Sequence, residues 1–79
     1  MNKKVVRDRI AAADLSGAYA ILQSNGVTLP DVEANISAYK KFQDAVIRRG
    51  TPYTSEEYDQ QCSNFERTVK LLLAAVDAY

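Results

Sequence analysis

The chain has 79 residues, with 10 Lys+Arg balanced by 10 Asp+Glu, no His, no Trp and one Cys. Those numbers exclude a second core of comparable size, a His-based catalytic centre, a four-ligand Cys/His zinc site and an internal disulfide. At 47% hydrophobic and 25% charged residues the composition is that of a globular protein. We expect a single domain over residues 1–79, with no catalytic residue, no cofactor and no metal. The longest apolar run, Leu71 to Val76, is far shorter than the roughly 20 residues that span a bilayer. The charged residues Arg7, Asp8 and Arg9 also break any signal-peptide stretch near the N-terminus. A soluble, cytoplasmic protein without a membrane contact is the expectation.

Ala, Leu, Lys, Glu, Gln and Arg dominate, and no strand-period alternation of useful length occurs. The first helix is predicted to start after Asn2, a good N-cap, and to run to about Ala13, with Val6, Ile10 and Ala13 on one face. Asp14 can cap a second helix over Leu15–Ser24, whose face is Leu15, Ala18 and Leu22 with Tyr19 and Ile21 beside them. Asn25-Gly26 tolerates the left-handed conformation that closes a helix. These two short helices should form a tight hairpin.

The third helix is predicted to begin between Thr28 and Asp31, since Pro30 fits only a first turn, and to end at Arg49 before Gly50. Val32, Ile36, Tyr39, Phe42 and Val46 make its apolar stripe. The fourth helix opens on Thr54-Ser55-Glu56-Glu57, a capping box, with Tyr53 and Tyr58 spaced for a hydrophobic staple. Its stripe is Tyr58, Cys62, Phe65, Val69, Leu72, Val76 and Tyr79, stepping alternately by four and three. The short connection between helices three and four enforces antiparallel pairing. The expected fold is an all-α four-helix bundle, the short hairpin of helices one and two packed on the long hairpin of helices three and four. Leu71, Leu73, Ala74 and Ala75 widen the apolar surface at the end of helix four, which needs cover from the short hairpin or from another chain.

Each chemically suggestive group has a plainer reading beside it. Glu56, Glu57 and Asp59 could meet a cation or a basic surface, but Glu57 has its capping duty; Glu56 and Asp59 are the better surface candidates. Cys62 sits on an apolar stripe with acidic neighbours, which suits a core thiol better than a reactive one. Lys40–Asp44, Asp44–Arg48 and Glu66–Lys70 are spaced as i, i+4 pairs of a solvated helix face. Tyr19 and Tyr79 fall where tyrosine lies at a rim.

The neutral total conceals a pattern. Residues 1–13 carry +3, 14–39 carry −3, 40–49 carry +3, 50–66 carry −4 and 67–79 carry +1. Oppositely charged patches on one small bundle favour association of copy with copy, in open strings if the patches lie on different faces. The candidate contact residues are Lys3, Lys4, Arg7, Arg48 and Arg49 on the basic side and Glu56 and Asp59 on the acidic side.

Several strings of this sequence form a familiar series. Ile10-Ala11-Ala12-Ala13-Asp14-Leu15-Ser16-Gly17-Ala18 followed by Leu22, then Ile36-Ser37-Ala38-Tyr39 with Phe42, then Gly50, Thr54-Ser55-Glu56-Glu57 and Leu71-Leu72-Leu73 span nearly the whole chain. Together they resemble the small all-helical effector-associated domains of bacterial conflict and immune systems, of the type numbered eleven. Ala13 stands where that family commonly has glycine, and Phe65 where it often has an Asn-Arg-aliphatic run. The resemblance implies an adaptor, death-fold-like in role, that pairs with a like domain in itself or in a partner protein and brings an effector to a sensor. Two other readings stand beside it. One is a small helical nucleic-acid-binding regulator of the antitoxin or repressor type, reading through Lys40, Lys41 and Gln43; the balanced charge argues against it. The other is a simple dimerisation bundle using the apolar end of helix four, with Leu73 as its probe.

Overall fold

The computed structural model describes residues 1–79 and contains four helices and no strand: α1 (Lys3–Ala11), α2 (Leu15–Ser24), α3 (Pro30–Arg49) and α4 (Ser55–Ala78). The all-α bundle expected from the sequence is the fold observed. No helix is long and apolar enough to cross a membrane.

Helix ends follow local chemistry closely. The Asn2 side chain accepts the amides of Lys4 and Val5, and the Asp14 carboxylate accepts that of Gly17. α3 starts on Pro30 with no side-chain cap and ends at Gly50, whose φ of 70° needs no Cβ to be accommodated. The capping box forms in full: Glu57 donates its amide to the Thr54 hydroxyl, and Thr54 donates its own to the Glu57 carboxylate.

The end of α1 departs from the expectation. The helix stops at Ala11, and Ala13 takes φ 63°, outside the helix and exposed rather than on its buried face. The Ala13 amide bonds to the Ile10 carbonyl and the Asp14 amide to that of Arg9. This is a Schellman turn with an alanine in the left-handed position that glycine usually fills.

One core holds the bundle together. Val6 and Ile10 of α1, Ala18, Tyr19 and Leu22 of α2, Val32 of α3 and Leu72 and Val76 of α4 are its buried side chains. Leu71 and Ala75 pack against it half-buried, so the apolar end of α4 is covered on that side, while Leu73 stays exposed. Tyr19, expected at a rim, is buried. Its hydroxyl donates to Glu33 at 2.8 Å and accepts the Leu29 amide at 2.8 Å, which makes burying the phenol tolerable. Burial and the Glu33 carboxylate push its pKa up.

No residue between Val32 and Thr68 is buried. The molecule measures 41 × 20 × 18 Å, and its core occupies one end. At that end α1 and α2 pack on α4, and α2 also touches α3. Beyond it, the outer halves of α3 and α4 run on as a two-helix arm.

Candidate interaction surface

The arm is held by few specific contacts. At its root, Asn35 donates to the Thr68 hydroxyl at 3.1 Å, and Thr68 donates onward to the Asn64 carbonyl at 2.8 Å. At its tip, Phe42 and Tyr53 stack with centroids 5.2 Å apart. Arg49 there donates to both oxygens of Glu57, at 3.0 and 2.6 Å, and to the Pro52 carbonyl. That fork, together with the Thr54 amide, holds the Glu57 carboxyl down at about 2.

The stripes expected to be core along this stretch are not closed over. Two helices side by side bury one narrow seam, which takes Phe42, Val46 and Cys62 to half-burial. The remaining large apolar side chains stand open: Ile47 is 76% exposed, Tyr58 61%, Tyr39 and Tyr53 44%, and Phe65 41%. Two clefts score this surface. One, of about 310 Å³, lies between the start of α2 and the arm and is floored by Ile36, Tyr39, Gln61 and Phe65. The next, of about 390 Å³, shares Tyr39, Gln61 and Phe65 and continues past Cys62 to Tyr53 and Tyr58. The Gln61 amide oxygen is buried beside both and has no hydrogen-bond partner.

The charged candidates do not gather into one basic and one acidic patch. Lys3, Lys4 and Arg7 lie on α1 at the core end, where Arg7 pairs with Asp77 at 2.8 Å. Arg48 and Arg49 lie at the far end of α3, next to the acidic start of α4, and Arg49 is engaged by Glu57. Glu56 and Asp59 are exposed and line a shallow polar groove with Gln60, Ser63 and Arg67. The sequence order of charge thus becomes two mixed ends. None of the i, i+4 pairs Lys40–Asp44, Asp44–Arg48 and Glu66–Lys70 closes to an ion pair; the third bridge is Arg9–Asp14, which lowers the pKa of Asp14.

Gln43, a residue of the nucleic-acid reading, donates to the Tyr39 hydroxyl at 2.9 Å. Cys62 and Asp59 beside Tyr58 push its phenol up. No group of three or more Cys, Asp or Glu is placed to hold a metal ion. Sequence reasoning missed the Asn35–Thr68 link and the openness of the arm. The second had a signal: α1 and α2 together are too short to cover α3 and α4. Comparison with protein families, with curated proteins and with solved structures finds no match.

Proposed function

We propose that this chain is a non-enzymatic interaction module. It associates with like domains, in itself or in a partner protein, and so couples a sensor to an effector in a bacterial defence or signalling system, in the cytoplasm. The observation that carries the reading is the arm: five large apolar side chains, from Tyr39 to Phe65, stand exposed on the hairpin, among charges of which only Arg49 and Glu57 form an ion pair within the chain. Apolar side chains gathered on one stretch of a small protein mark a contact surface. The resemblance to effector-associated domains supplies the biological setting, and the lack of His leaves the commonest acid–base chemistry without its residue.

The test is co-purification of two differently tagged copies, and of this chain with like domains encoded beside it, at low and high salt. Retention that weakens as salt rises is the expected result, because the surface mixes apolar and charged groups. Failure to retain both its own second copy and every like neighbour would overturn the reading.

A further inference from the structure

The α1–α2 hairpin covers only part of one face of the α3–α4 hairpin. α1 and α2 have 9 and 10 residues against 20 in α3. At 1.5 Å per residue the cover is about 15 Å long and α3 about 30 Å. The face does not end where the cover does. The cleft that begins at Asp14, the N-cap of α2, and at Ser16 in its first turn runs along Tyr39 and Phe65 into the cleft that reaches Tyr58. Ile36, Lys40, Gln43 and Ile47 form one row of α3 along it by helical spacing. The seat of α1 and α2 therefore continues, bare, for roughly another 15 Å.

We propose that this bare face docks on the same face of a second copy of the chain, the two arms antiparallel about a two-fold axis. The inference rests on the like-with-like reading and assigns its surface. Length argues for this occupant. The open stretch is as long as an arm, so the partner's arm lies end to end with the first copy's own α1–α2 hairpin. A four-helix cross-section then extends along the whole molecule.

Charge argues for it as well. Lys40 lines the cleft, and Asp44 and Arg48 follow at i+4 and i+8 along the same edge, beside Ile47. This row alternates in sign and forms no ion pair of its own. With the two-fold axis passing between Lys40 and Asp44, at the middle of the arm's stretch of α3, Lys40 of each copy meets Asp44 of the other, and Arg48 lies outside the paired charges. The paired faces, each about 15 Å by 20 Å before side-chain relief, place the contact among the small, transient interfaces.

Sedimentation of the 79-residue chain from about 10 μM to about 1 mM tests this. A reversible monomer–dimer equilibrium is expected. Ile47→Asp and Tyr58→Asp should each weaken it by about tenfold or more while far-UV circular dichroism stays unchanged, since both side chains are exposed in the single copy. Lys40→Glu and Asp44→Lys should each weaken it, and the double exchange should restore it. A dimer indifferent to the Asp substitutions overturns the arm as the surface and leaves like-with-like association standing. A double exchange that restores nothing overturns the antiparallel pairing. A chain monomeric throughout overturns the proposed self-docking, whereas the wider reading then falls only if binding to like neighbours fails too.

Discussion

Ala13 occupies a backbone position at odds with its side chain. A left-handed φ costs an L-residue roughly 1–2 kcal/mol, against which glycine loses more entropy on folding. Nothing but the turn holds Ala13 there, and it is exposed. Ala13→Gly should therefore raise stability by about 0.5–1 kcal/mol, read as a higher denaturation midpoint with an unchanged m-value. The position was partly legible: Ala13 is followed by Asp14, a helix N-cap residue, so the chain must turn there between two helices. The turn type was not, because it depends on which carbonyls the next two amides reach.

Glu57 gives a second expectation at this scale. Its carboxyl, held at about 2 against an ordinary 4.5, is more acidic folded than unfolded. The stabilisation is therefore complete above about 4.5 and is lost as pH falls toward 2. The melting temperatures of wild type and Glu57→Gln should differ most near neutrality and converge toward pH 2. A gap of constant size across that range would show that the Arg49 fork contributes nothing. The capping box was readable in Thr54 and Glu57, whereas the fork was not, since it joins residues on either side of a turn.

At the scale of elements, periodicity placed the helices but not their burial. Val32, Ile36, Tyr39, Phe42 and Val46 recur as a buried stripe should, yet only Val32 is buried. A stripe records which face turns inward; how much covers it depends on the length of the neighbours. Truncations should separate the two halves of one helix pair. Leu72→Ala, in the core, should cost about 3 kcal/mol. Val46→Ala, half-buried in the arm seam, should cost about 1 kcal/mol, measured by urea denaturation at dilute concentration. Equal costs would mean that the arm is as closely packed as the core end. Thr68 shows the converse failure: a polar residue on the inward face, buried because its hydroxyl bridges Asn35 and the Asn64 carbonyl.

The whole molecule joins a packed end, where all four helices meet, to a two-helix arm. The parts differ in how many chain segments must come together. Closing the core end brings residues 6–32 against 68–76, while the arm needs only its own short turn. Amide hydrogen exchange in the monomer should follow this division, slow at Leu22 and Leu72 and fast from Lys41 to Gln60. That gradient was not readable from composition or charge, which describe the chain without its cover.

The arm is also the tether between the two halves of the core. An unstructured connection of that length would leave them to find each other across a long, costly loop; a paired hairpin brings them close before they pack. Its contribution therefore falls on the rate of folding more than on the lifetime of the folded state. Thr54→Ala, which removes the cap at the hairpin turn, should slow refolding and leave unfolding nearly unchanged, while Leu72→Ala should mainly speed unfolding. A stretch that buries no residue would then set how fast the buried ones are reached.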